Sequence, residues 1–165
     1  MGHQHIQTPK GVVFNTPYAR RFGNRARYEG TIVHQYKQYD AYVVADGMWS
    51  DNYYSSYSSY KSDPHRQDQT GYAFVKGNFF KYNKHLEHFA VGSPNSDHFQ
   101  GKVYICHDCF GTNSDGTKRT LSAPRPQHGE RFGVAIAAVD INGDGYDDVV
   151  VGAPLHTQLS TVLTY

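Results

Sequence analysis

Apolar positions in this chain come in short runs bounded on at least one side by Gly, Pro, Asn or Asp. GVVF at Gly11–Phe14, TIV at Thr31–Val33, FAVG at Phe89–Gly92, KVYI at Lys102–Ile105 and VVVG at Val149–Gly152 all have this form. Their β-branched and aromatic content, and their length of three or four residues, predict strands rather than helices. No long helix-forming run separates them, and Leu and Met are scarce, so the expected fold class is all-β. The spacing of the runs is regular. GYAF begins at Gly71, FAVGSP follows with Gly92 and Pro94, and GKVYI starts at Gly101; then FGVAI begins at Phe132 and VVVGAP follows with Gly152 and Pro154. From Gly71 to Gly133 is 62 residues and from Gly92 to Gly152 is 60. A period of that length with several strand signals per repeat predicts blades of a β-propeller, present here only in part. GVVFNTP followed by Gly30-Thr-Ile-Val is a weaker, earlier copy.

Between Asp140 and Asp148 the alternation gives way to DINGDGYDD. Carboxylate or amide oxygens at Asp140, Asn142, Asp144 and Asp148 occupy positions one, three, five and nine, and the Tyr146 carbonyl falls at position seven. That is a donor set for Ca2+, a hard cation that takes six to eight oxygens in a flexible shell. An EF-hand closes with a bidentate Glu at position twelve, and here that position is Val151, so the loop is expected to join two strands instead. Asp147, at position eight, is expected to point away from the ion. The alternative is a solvated turn, since Asp, Asn and Gly are common turn formers. Carboxylates gathered so closely repel one another without a cation, which favours the metal.

Residues 37–70 interrupt the repeat. They hold one apolar run at Tyr42–Ala45 and then the Tyr/Ser-rich tract Tyr53–Tyr60. Tyr offers large amphipathic area at low entropic cost, so the tract reads as either a contact surface or a linker. Tyr53, Tyr54, Tyr57, Tyr60 and the nearby Asp68 are the candidate ligand-facing residues.

The 165 residues suffice for one ordinary domain, and 16 Lys and Arg against 15 Asp and Glu leave a net charge of +1. That balance gives no sign of a nucleic-acid partner. No apolar stretch is long enough to cross a bilayer, and MGHQHIQTPK lacks the core of a secretory signal, so an extracellular protein would be incomplete as given. Cys106 and Cys109 are the only cysteines. A local disulfide or an unremarkable pair is expected, and a zinc site with His85, His88 and His107 is disfavoured because no second ligand pair has metal spacing. No Asn-x-Ser/Thr acceptor occurs, and no local motif marks a nucleophile or phosphate loop, so no enzymatic activity is expected.

RFGVAIAAVDINGDGYDDVVVGAPL closely resembles an FG-GAP repeat of an integrin α chain. Phe132-Gly133 matches FG, Asp140 to Asp148 the family's calcium loop, and Gly152-Ala153-Pro154 matches GAP. Residues 71–125 resemble the preceding blade, with Gly92-Ser93-Pro94 in the GAP place, while its loop KYNKHLEH lacks the Asp/Asn series and should bind no calcium. Loss of the loop in this blade is similar to what laminin-binding integrin α chains show. In this register residues 1–36 end one blade, 37–70 connect, 71–125 form the next, and 126–165 begin a blade with the calcium loop. These would be about the third to fifth blades of the head.

The resemblance implies part of a cell-adhesion receptor subunit at the cell surface. It would pair with an integrin β subunit, bind an extracellular-matrix protein, possess a structural Ca2+, and meet the membrane only through parts absent here. A propeller attached to a phospholipase D acting on glycosylphosphatidylinositol anchors, and a soluble calcium-binding propeller scaffold, are the rival readings, since fold alone does not fix function.

Overall fold

The computed structural model describes residues 4–16, 20–21, 27–28, 31–36, 42–44, 68–82, 87–107, 119–157 and 163–164. Their regular structure is almost entirely β. Strands β1 (His5–Gln7) and β2 (Gly11–Thr16) are followed by a separate two-stranded arm, β3 (Arg20–Arg21) with β4 (Arg27–Tyr28). Strands β5 (Thr31–Tyr36) and β6 (Tyr42–Val44) complete a first antiparallel sheet in the order β1-β2-β5-β6. The second sheet contains β7 (Phe74–Gly77), β8 (His88–Ser93), β9 (Lys102–His107) and β10 (Arg119–Leu121), in the order β10-β9-β8-β7. In the third, β11 (Ala135–Val139), β12 (Asp148–Gly152) and β13 (Leu163–Thr164) pair in sequence order.

One boundary moves. The sequence places the end of the first blade at residue 36, whereas β6 pairs antiparallel with β5 through Val33 and Val44, His34 and Val43, Gln35 and Tyr42. Tyr-Val-Val is a strand former in its own right, and pairing with β5 gives its backbone the hydrogen bonds that a connection would leave to water.

Every residue of β8 is buried, because the second sheet is covered on both faces. Side chains alternate across a pleated strand. Phe74, Phe89, Val91, Tyr104 and Cys106 therefore share one face, which packs on Val13 and Ile32 of the first sheet. Ala90, Val103 and Ile105 share the other, which packs on Phe132 and on Val149 and Val151 of the third sheet. Burying a side chain of this size stabilises by roughly 1.5–3 kcal/mol each, and these two layers join the sheets into a stack. A stack of antiparallel sheets, two of four strands and one of three among the described residues, matches part of a propeller built from successive four-stranded blades. Cys106, on the first of these faces, is disulfide-bonded, and Cys109, the chain's other cysteine, lies outside the described residues.

The repeat seen in the sequence recurs as hydrogen bonds. Gly71 N–H donates to the Gly92 carbonyl at 2.9 Å, and Gly133 N–H donates to the Gly152 carbonyl at 3.1 Å. Two residues before each of these donors, Gln69 and Arg131 adopt positive φ values of 54° and 58°, and their carbonyls accept from Tyr72 and Val134. Three residues before each donor lies a buried acid, Asp68 or Glu130. Glu130 is wholly buried and its carboxylate accepts from the Nδ1 of His156 at 2.5 Å, tying the start of the third sheet to the turn that follows β12.

Candidate cation loop at the sheet junction

The hairpin β11–β12 ends in the pair Val139 and Asp148, so residues 140–147 form its connection. Its fold is set by side-chain oxygens accepting from nearby N–H groups, the habit that makes Asp and Asn turn formers. Asp140 Oδ1 accepts from Gly143 at 2.7 Å and from Asp144 at 3.2 Å, while its Oδ2 accepts from Gly145 at 2.8 Å. Asn142 Oδ1 accepts from Asp144 N–H and Asp144 Oδ1 from Tyr146 N–H, both at 2.9 Å. Asp148 Oδ2 reaches across the mouth of the loop to Ile141 N–H at 3.0 Å. These bonds require a left-handed backbone at Gly143 and Gly145, with φ of 76° and 84°, where a side chain would cost about 1–2 kcal/mol.

Five expected oxygen donors thus lie on one exposed loop, and each carboxylate retains acceptor capacity beyond the bonds above. They are not drawn to a common point: among the described residues no group of three or more His, Cys, Asp or Glu side chains stands ready to hold a metal ion. The fit to a hard cation lies in the donor chemistry and the loop backbone, which suits calcium's tolerance of irregular shells, and the carboxylates would have to turn inward to form the cage.

Asp147 faces the other way. Its Oδ2 accepts from Asn78 N–H at 2.7 Å and its own N–H donates to the Asn78 carbonyl at 3.0 Å. The Asn78 side chain donates Nδ2–H to the Gly145 carbonyl at 3.2 Å, and the Lys81 ammonium lies 5.6 Å from the centre of the Tyr146 ring. The segment after β7 is therefore docked on the loop. Neither Asn78 nor Lys81 was marked by sequence, because each lies more than sixty residues from its partner. The same segment enters the KYNKHLEH stretch, of which residues 83–86 lie outside the described residues.

Other candidates divide. Asp68 is only 8% exposed, and its carbonyl accepts from Ser93 Oγ at 3.0 Å and Asn95 N–H at 3.2 Å. Its burial suits neither a ligand-facing nor a solvated side chain. Tyr53, Tyr54, Tyr57 and Tyr60 lie outside the described residues. His88 and His107 are cross-strand partners with ring centres 6.2 Å apart, both edge-on to Phe80, an aromatic cluster within the second sheet. No helix among the described residues is long and apolar enough to cross a membrane.

Residues 132–165, which contain this hairpin, match the family model for the FG-GAP repeat. Over 92 residues the chain is 30% identical to integrin alpha-PS2 of Drosophila melanogaster, covering 56% of this chain and 6% of that protein. The chain is similar to integrin α chains and carries a match to the FG-GAP repeat at residues 132–165. Integrin alpha-PS5 of the same fly is 36% identical over 86 residues, covering 52% of this chain and 8% of the relative. Integrin alpha pat-2 of Caenorhabditis briggsae is 28% identical over 105 residues, covering 64% and 8%. The chain therefore spans less than a tenth of the length of these integrin-α relatives.

Proposed function

We propose that this integrin-α-like region is part of the propeller of a cell-adhesion subunit, displayed on the outer side of a single-pass membrane protein, with no enzymatic role. The subunit pairs with an integrin β subunit and binds an extracellular-matrix protein, laminin-like in the finest form of the proposal. The observation that supports the reading is the coincidence of the FG-GAP match with a hairpin whose connection runs through Asp140, Asn142, Asp144 and Tyr146 to Asp148.

The cation expected there is structural Ca2+. When bound it supplies a charge that offsets the clustered carboxylates, and preference for the folded loop over the unfolded one stabilises the fold, by about 2.7 kcal/mol at a hundred-fold excess over Kd. Asp140 orders the loop through three N–H groups, Asp148 closes its mouth, and Gly143 and Gly145 permit the reversal.

The Tyr53–Tyr60 tract is proposed as the specificity-bearing surface, on the strength of its composition and its interruption of the repeat. The test uses the parent heterodimer with residues 53–60 replaced by a Gly/Ser linker. Adhesion to the cognate matrix protein should fall while pairing with the β subunit and calcium binding persist. Unaltered adhesion would reduce the tract to a spacer.

A further inference from the structure

We infer that Asn78, which directly follows β7 of the second sheet, is a positioning residue for the cation loop of the third, so that the site is built across the junction of two sheets. The inference rests on the cation reading above and extends it to a residue outside the FG-GAP match, which begins at residue 132. Asn78 and Asp147 exchange two hydrogen bonds, one of them charge-assisted and 2.7 Å long. A third, from Asn78 Nδ2, holds the Gly145 carbonyl at 3.2 Å.

Position eight explains why this matters. Neighbouring residues of an extended segment point to opposite sides, so turning Asp147 toward Asn78 turns Asp148 back toward the loop, where its Oδ2 meets Ile141 N–H. Holding the Gly145 carbonyl against Asn78 likewise fixes the peptide just before Tyr146, whose own carbonyl is a proposed ligand. Lys81, from the same segment, lies against the Tyr146 ring. The second sheet, whose own loop lacks the carboxylate series, thereby supplies the outer wall of its neighbour's loop. Groups that orient metal ligands change affinity without touching the metal, typically by ten- to a hundred-fold.

The test is calorimetric titration of Ca2+ into the whole chain and into three variants, with calcium-free melting recorded for each. Asn78→Ala removes one partly exposed amide and leaves both backbone bonds of residue 78 available, so it tests the site with little threat to folding. It should weaken calcium about ten-fold while calcium-free melting stays close to wild type. Asp147→Ala should weaken binding at least as much, and Asp147→Asn, which keeps an acceptor for Asn78 N–H, should restore most of it. Wild-type affinity in both alanine variants would overturn the inference and leave the cation reading standing. An Asp147→Asn chain as weak as Asp147→Ala would also overturn it, because charge and not position would then be at work. Absence of calcium binding by the wild-type chain would overturn both readings.

Discussion

Gly92 lies against Gly133 so closely that a Cβ on Gly92 would sit 2.0 Å from the Gly133 carbonyl oxygen. The two landmark glycines that carry the repeat in sequence are thus where the second and third sheets approach through their backbones. Beside them Gly101 forms an isolated parallel bridge to Phe132. These glycines are contacts between sheets as well as turn punctuation.

Gly92→Ala should therefore destabilise by about 3 kcal/mol or more, since the obstructing atom is backbone that cannot swing aside. Gly143→Ala provides the contrast. A Cβ there meets nothing within 4 Å, but φ is +76°, so the expected cost is only about 1–2 kcal/mol from the left-handed backbone. Urea unfolding of the two variants measures both. Equal small effects would show that the sheets can separate to admit a methyl group.

The Glu130–His156 pair should matter more than its size suggests. Glu130 is fully buried and the His156 side chain is nearly so, so His156→Ala leaves a carboxylate without this partner, a change that typically costs about 3–5 kcal/mol. Glu130→Gln made in the His156→Ala background should recover much of the loss, because it removes the stranded charge. Thermal melting of the single and double variants decides this, and a His156→Ala chain as stable as wild type would show the pair to be dispensable.

His34 gives the first sheet a dependence on pH. Burial holds its imidazole below the usual value of 6.5, Glu87 opposes that shift, and Lys10 adds to it. The unfolded chain therefore binds the proton more readily than the folded one, so stability present above pH 6.5 is lost as pH falls below it. Urea midpoints measured from pH 7.5 to 5.5 should decline, and less steeply in His34→Gln. The same decline in both chains would move the effect to another group.

The β11–β12 hairpin of the third sheet was the most legible part of the sequence, because its loop and its glycine landmarks are local patterns, whereas β13 lies where the repeat pattern has already been lost. Val149–Gly152 read as a strand without knowledge of its partner, the loop before it was expected to join two strands, and position counting alone turned Asp147 away from the loop. What the sequence withheld were relationships between distant residues. Asn78 looks like any polar residue after a strand until Asp147 is beside it. Asp68 was read as a surface acid, although Glu130 stands at the same place before the next landmark glycine; the pairing Asp-x-x-Gly and Glu-x-x-Gly was the available signal for a buried position. Tyr42–Val44 was assigned to a connection because the repeat had ended in sequence, whereas pairing with β5 depends on backbone hydrogen bonds that no repeat landmark marks.

Calorimetric titration of Ca2+ into the wild-type chain and Asp144→Ala tests the central claim most directly. One site is expected in the wild type, strongly weakened in the variant, because the substitution removes a ligand together with its charge. Wild-type affinity in Asp144→Ala, or no saturable heat in either chain, would contradict the assignment of the Asp140–Asp148 loop as a cation site.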